Sequence, residues 1–220
     1  MSTATASNEA LEHSRTDSEP VPSGVFPQAV NWNNPRVAAI LETAAECFSR
    51  GGFSTTTLAD IGRELGLRKS IVHYYFTSKA TLVREVQNFA YGRYLEVIRS
   101  AVSPTVDDLN PDSNCYDAGF RGLWARLRDE KSVRGLNLEL WSEARRNAEL
   151  AERAESFESE ARRLIGEHFI AEKGMSGDEA QALATLTLAV LDGLTVREER
   201  DQGTERSSRA YEAFCKLVSK

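Results

Sequence analysis

The chain has only three cysteines, Cys47, Cys115 and Cys215, and no two of them stand in a C-x-x-C spacing. That arrangement excludes a zinc finger and a thioredoxin-like site, and an odd number of widely spaced thiols fits a reducing compartment. The three histidines, His13, His73 and His168, form no metal-ligand spacing either. No run of about 18 apolar residues occurs, so no membrane span is expected. The opening MSTATASNEALEH has neither a basic start nor an apolar core, so it reads as no secretory signal, and the expected location is the cytoplasm. No phosphate-cradling glycine loop is written, and no Ser-His-Asp or Cys-His order suggests a nucleophile and base. The expectation is a protein that is not an enzyme and needs no cofactor. An excess of positive charge is missing too: the net charge is -6 and the pI about 5.3. This excludes a surface that is basic throughout, but not a local basic patch, because net charge is an average.

What the sequence does contain is helical periodicity. Residues 1–30 form an expected disordered tail, rich in Ser, Thr, Glu and Ala and broken by Pro20, Pro22 and Pro27. From Asn31 onward almost every stretch repeats its apolar residues at three- and four-residue steps. Asn34 suits an N-cap and Pro35 the first helical position, with Val37, Ile40, Leu41, Ala44 and Phe48 on one face. Gly51-Gly52 reads as the stop. Thr57 opens a second short helix, with Asp60 three residues on and Leu58, Ile61 and Leu65 as its buried face. Gly66 ends it, a third short helix covers Lys69 to Phe76, and a long one runs from Ser78 to about Val102. Beyond a polar loop bounded by Pro104 and Pro111, further helices are expected over residues 116–129, 133–147, 149–173, 177–199 and 205–218. No strand-like alternation and no internal repeat rises above noise. The fold class is therefore all-α: an N-terminal bundle of three helices over residues 31–80, and a larger helical domain over residues 81–220.

The stretch TTTLADIGRELGLRKSIVHYYFTSK, residues 55–79, fits a helix-turn-helix. Gly66 gives the turn a conformation that is costly for other residues. Ile61, Leu65, Leu67 and Val72 lock two helices at a fixed angle. The outer face of the second helix then offers Arg68, Lys69, Ser70, His73 and Tyr74 to a DNA major groove about 12 Å wide. Charge supports this modestly. Residues 32–88 carry seven basic residues against five acidic ones, in a chain that is acidic overall.

This region resembles the TetR family of bacterial transcriptional regulators, on ILETAAECFSRGGFSTTTLADIG followed by GLRKSIVHYYFTSKATL. The family pattern is an aromatic His/Tyr-Phe block, two residues, then Lys and a small residue. Here it reads His73-Tyr74-Tyr75-Phe76, Thr77-Ser78, Lys79. The segment LTLAVLDGLTVRE also resembles the dimer helix of the branch that includes the betaine-pathway repressor. The resemblance implies phosphate contacts from Thr57, through its hydroxyl and backbone N–H, from Lys79 at a helix start, and from Tyr75. It places Arg68, Lys69, Ser70 and His73 at base edges or nearby phosphates, Tyr74 on a sugar or a thymine methyl, and Val72 and Phe76 inward. It implies a double-stranded DNA operator, a homodimer and a small-molecule effector as partners, and no membrane.

The second domain is read more loosely. Tyr91, Tyr94, Phe120, Trp124, Trp141 and Phe157 recur on separate helices and are candidates for a ligand cavity, although core packing accounts for such rings as well. Glu139 or Glu143 could orient a cationic ligand; solvation explains them equally. The Glu/Arg-rich run from residue 148 reads as solvated i,i+4 pairs, Glu149/Arg153 and Glu158/Arg162. His168, alone on that charged helix, is expected at the surface or the core edge. Leu183, Leu186, Val190, Leu191 and Leu194, with Phe214 and Leu217, exceed what one narrow face needs. They are the expected two-fold interface, a four-helix bundle of two helices from each chain. The expected function is a dimeric DNA-binding regulator, a repressor released from a palindromic operator by a small molecule. The alternative is a helical small-molecule-binding or scaffold protein that has lost specific DNA binding.

Overall fold

The computed structural model describes residues 32, 34–102, 115–201 and 204–218. The expected tail over residues 1–30 and the loop between Pro104 and Pro111 lie outside the described residues. Those described fold into nine α-helices and no strand: α1 (Pro35–Thr55), α2 (Leu58–Glu64), α3 (Lys69–Tyr75), α4 (Lys79–Val102), α5 (Cys115–Asp129), α6 (Lys131–Ala144), α7 (Ala148–Lys173), α8 (Gly177–Asp201) and α9 (Thr204–Val218).

The N-terminal helices start and stop where local chemistry dictates. The Asn34 side chain accepts from the Arg36 N–H, and Pro35 sits at N1, where its missing donor costs nothing. The α1 helix departs from expectation at its end. Gly52 leaves the helical region (φ 79°, ψ 161°), but one more turn follows, to Thr55. The extra turn exists because the bend brings Phe53 under the helix, 4.7 Å from the Phe48 ring. At the end of α2, Gly66 adopts φ 64°. The Leu67 N–H then reaches back to the Gly62 carbonyl at 2.7 Å and the Gly66 N–H to the Arg63 carbonyl at 3.1 Å. This paired closure at a left-handed glycine fixes the turn between α2 and α3. Ile61, Val72 and Phe76 are fully buried beneath it.

The long helix α4 is the axis of the molecule. It packs on α1, α5, α6 and α7, while α7 lies along α8, and α9 packs on α5 and α8. The helix α6 crosses α1 so closely that a Cβ on Gly135 would overlap the Ser49 hydroxyl. Arg93 of α4 adds a polar tie, reaching Glu42 at 3.2 Å and Glu130 at 2.9 Å. Three polar side chains of α4, Glu85, Gln87 and Asn88, are buried. Two of them meet the start of α7: the Gln87 amide donates to the Leu150 carbonyl at 2.9 Å, and Arg153 donates to Asn88 at 2.7 Å. Buried polar groups are tolerated when so paired, and such pairing fixes one relative position of two helices.

His168 is a correction to the sequence reading. It is buried, beside the Phe120 ring with centroids 5.7 Å apart. The charged composition of α7 describes its outer face, whereas His168 faces α5. Burial holds its imidazole below the usual histidine range. The helix α8 departs from expectation too: Gly177–Glu198 is long and apolar enough to cross a membrane by length and composition. The share of that window buried inside the protein is 39%, and its exposed positions include Ala182, Leu186, Ala189, Gly193 and Val196.

Candidate nucleic-acid interface and internal cavity

The helix α3 stands on the protein surface with its inner face anchored by Val72 and its outer face unoccupied. Arg68, Lys69, Ser70, His73 and Tyr74 are all exposed. Tyr74 is 80% exposed, an arrangement that burial alone would never select for an aromatic ring. Tyr75 is half-buried, its ring edge-on to Tyr74 with centroids 5.1 Å apart. Arg68 is the N-cap of α3 and makes no side-chain capping bond, so its guanidinium is not spent on its own helix.

Two residues expected at phosphates are already engaged. The Thr57 hydroxyl donates to Asp60 Oδ2 at 2.6 Å, and the Thr57 backbone N–H donates to the same oxygen at 2.9 Å. The Asp60 N–H returns a bond to the Thr57 hydroxyl at 3.2 Å. This reciprocal capping box holds the Asp60 carboxyl below its usual range, through the bonds from Thr57 first and from Arg63 next. Both groups of Thr57 that the resemblance assigns to phosphate are therefore directed to a carboxylate, which would also repel phosphate. Lys79 Nζ donates to the Ser54 carbonyl at 3.2 Å. An ammonium has three donors, so this bond positions Lys79 beside the α1–α2 turn without exhausting it.

In the second domain the structure separates the six candidate aromatics into two groups. Tyr91, Tyr94, Trp141 and Phe157 line a cavity of about 170 Å³, together with Asn137, Glu158, Arg162, Thr185, Leu188, Ala189 and Asp192. The Tyr91 and Phe157 rings stack at 4.2 Å and 8°, and Tyr94 meets Phe157 edge-on at 5.3 Å. Phe120 and Trp124 do not reach it. They sit in a second aromatic cluster, where Phe120 packs with Phe169 and Tyr211 and Trp124 against Tyr211. The Tyr211 hydroxyl is consumed there by the Phe120 carbonyl at 2.7 Å. These two are core residues joining α5 to α9.

The acidic residues also differ from expectation. Glu139 lies against Gly52 of α1. Neither it nor Glu143 lines the cavity, whose acids are Glu158 and Asp192. Burial, and then the Glu158 charge, push the Asp192 carboxyl up to about 7. The Tyr91 hydroxyl is pushed up to about 12 by burial, against a lowering bond from Gln87. The signal for Asp192 was present in the sequence: it is the lone acid in LTLAVLDGLTV.

The expected interface residues divide as well. Leu191, Leu194 and Phe214 are buried within the protomer, so the bundle's own core claims them. Leu183 and Val190 are half-buried. Leu186 and Leu217 are 51% and 72% exposed. The outer stripe of α8 is Ala182, Leu186, Ala189, Gly193 and Val196, all exposed, and α9 exposes Ala210, Ala213 and Leu217.

The fold and the exposed α3 define a two-part all-helical protein of the helix-turn-helix class. Two family models match it: that of bacterial regulatory proteins of the tetR family over residues 40–86, and the C-terminal domain of BetI-type transcriptional repressors over residues 123–219. The chain belongs to the TetR family, in its BetI-type branch. It is similar to the probable HTH-type transcriptional regulator ArpR of Pseudomonas putida, 31% identical over 74 residues. That match spans 34% of this chain and 34% of the relative, about a third of its length. Solved structures share the fold. A TetR transcriptional regulator from Legionella pneumophila has a TM-score of 0.67 at 14% identity, covering 82% of this chain and 95% of that one. A transcriptional regulator described as putative, from Pseudomonas aeruginosa PAO1, has a TM-score of 0.64 at 20% identity, covering 87% and 96%. The fatty acid degradation regulator FadR of Bacillus halodurans has a TM-score of 0.64 at 16% identity, covering 84% and 94%.

Proposed function

We propose that the chain is a homodimeric, sequence-specific DNA-binding repressor, released from a palindromic operator by a small molecule bound between α4, α6, α7 and α8. The observation that carries this reading is the outer face of α3. Five polar or aromatic side chains are held exposed there by a hinge whose inner residues are fully buried. Arg68 and Lys69 read base edges or phosphates, with Ser70, His73 and Tyr74 completing the contact; Tyr75 and Lys79 add backbone contacts. Thr57 keeps the start of α2 in place for them through its capping box. The reading head comprises residues 31–80, and residues 81–220 supply ligand binding and dimerisation. The exposed stripes of α8 and α9 would pair with those of a second copy across a two-fold axis, which sets the two α3 helices about 34–36 Å apart for successive major grooves.

A path from cavity to head runs along α4. Tyr91 lines the cavity, and its hydroxyl accepts from the Gln87 amide at 3.4 Å. The same amide holds the Leu150 carbonyl. A ligand that moves Tyr91 would disturb the contact that sets α4 against α7, and α4 continues unbroken to Lys79 beside the head. The ligand must favour the arrangement in which the heads no longer match the operator, or it shifts nothing.

The test is fluorescence anisotropy on DNA fragments selected from genomic DNA by the purified protein, against a scrambled fragment of equal length, at several salt concentrations. A preference of roughly a thousandfold or more supports a specific regulator. Equal, weak and steeply salt-dependent binding to both fragments would contradict it.

A further inference from the structure

We propose that the cavity takes a small protonated amine, with the ammonium N–H groups on the Asp192 carboxylate and the hydrocarbon body against the wall formed by Tyr91, Tyr94, Trp141 and Phe157. This assignment deepens the effector reading above and rests on it.

The lining states the chemistry. Four aromatic residues line one space, Tyr91 and Phe157 stacked on each other, and aromatic rings attract cations. Two carboxylates share that space, and they are not equivalent. Glu158 is answered by Arg162 at 3.9 Å, one turn along α7. Asp192 has no hydrogen-bond donor and no ion-pair partner among the described residues. Asp192 is half-buried, and a carboxylate has about four lone-pair sites that no donor among the described residues meets here. A group that brings both positive charge and N–H donors meets that need. A quaternary ammonium brings the charge without donors, an alcohol brings one donor without charge, and an anion is repelled. Size narrows the choice further. About 150 Å³ is enough to hold benzene, and the volume here is close to that, about 170 Å³. The ligand is therefore a short alkyl or single-ring amine.

The same geometry makes binding pH-dependent. The titratable and polar groups that line the cavity with Asp192 are Glu158 and Arg162 from α7, Tyr91 and Tyr94 from α4, and Asn137 and Trp141 from α6. Burial raises both tyrosines, so they stay neutral near pH 7. Burial and the Glu158 charge push Asp192 up to about 7. An alkylammonium remains charged well above that. The amine binds the ionised carboxylate, so its affinity falls by up to about tenfold per pH unit below 7.

The test is isothermal titration of the full chain without DNA, using n-butylammonium, tetramethylammonium and 1-pentanol at pH 8 and pH 6. Butylammonium is expected to bind most tightly and to weaken at pH 6, with 1-pentanol insensitive to pH. Asp192→Asn should weaken butylammonium by about ten- to a hundredfold, the range of a charge-assisted hydrogen bond, and leave 1-pentanol unchanged. Trp141→Ala, at a side chain already 40% exposed, keeps the fold and should weaken butylammonium severalfold through the lost ring face. No binding of butylammonium at pH 8, equal binding of 1-pentanol, tighter binding of tetramethylammonium, or indifference to Asp192→Asn in a protein that still melts cooperatively would each overturn the proposal. A parallel anisotropy assay on operator DNA separates the two readings. Butylammonium that binds as described without changing DNA affinity would uphold the amine site and overturn its role as the effector site.

Discussion

Two helices of this protein, α3 and α8, each show solvent a face that the protomer does not need, and the two faces differ in kind. The α3 face is Arg68, Lys69, Ser70, His73 and Tyr74; the α8 face is Ala182, Leu186, Ala189, Gly193 and Val196. A charged and aromatic face suits a polyanion whose counterions it displaces. A face of small and aliphatic residues suits close approach of another helix, where burial of apolar surface drives association. The comparison teaches that exposure alone says little, and that the chemistry of the exposed atoms names the partner. On the proposed reading each face needs the other: one α3 helix would read half a palindrome, and pairing through α8 would supply the second half.

The largest expected effect comes from breaking the apolar face. Leu186→Glu places a charge where a second copy would pack, yet its side chain is already half exposed, so the protomer should keep its helix content by circular dichroism. Light scattering should report a monomer at concentrations where the parent is a dimer. A dimer that survives would show that α8 is not the interface. Next comes the α3 face. Arg68→Ala and Lys69→Ala should each cost about 1–3 kcal/mol of operator affinity if the side chain reads a base. If it contacts phosphate, the salt slope should fall by roughly one and all sequences should weaken alike. Both residues are exposed, so thermal stability should move by no more than about 0.5 kcal/mol.

Smaller effects are expected in the region between the two faces. Asp192 is raised from 3.8 to about 7, so the folded state binds its proton more tightly than the unfolded chain. The stability linked to that proton is fully present below about pH 4 and is lost as pH rises through 7. Asp192→Asn should therefore raise Tm by roughly 2–4 °C at pH 8 and by less at pH 5, read by thermal melts at both. A gain that is the same at both pH values would show that the carboxylate is not desolvated. The smallest effect is expected at Gln87→Met, which removes the bond between Tyr91 and the start of α7. Ligand and DNA should each still bind, while the effect of one on the other changes by about 0.5–2 kcal/mol, measured by titrating DNA affinity against ligand.

Much of the head was legible in the sequence, because its signals are local. Thr57 opens α2 where the spacing puts an N-cap, and with Asp60 three residues on it makes a capping box; Gly66 turns left-handed where the spacing puts a turn. What local patterning could not show is competition for the same atoms: the Asp60 carboxylate takes the two Thr57 groups that a phosphate would use. The cavity was legible only as a set of aromatic residues, because its walls come from four helices whose meeting is a tertiary fact. Tyr91 and Phe157 meet there, whereas Phe120 turns to α9. The helix α8 is apolar on nearly every side, so periodicity could not tell Leu191, which faces the protomer core, from Leu186, which faces out. Asp192 carried the clearest unused signal, as the only charge in its apolar stretch.

The central claim is that the two faces act together, so that one dimer presents two α3 helices to one palindrome. Hydroxyl-radical footprinting of the selected operator, combined with light scattering of the complex, tests it most directly. The account predicts two protected half-sites centred one helical turn, about 10–10.5 base pairs, or a multiple apart, with protomers bound in even number and both half-sites lost together in Leu186→Glu. A single protected half-site occupied by one protomer, unchanged in that variant, would contradict it.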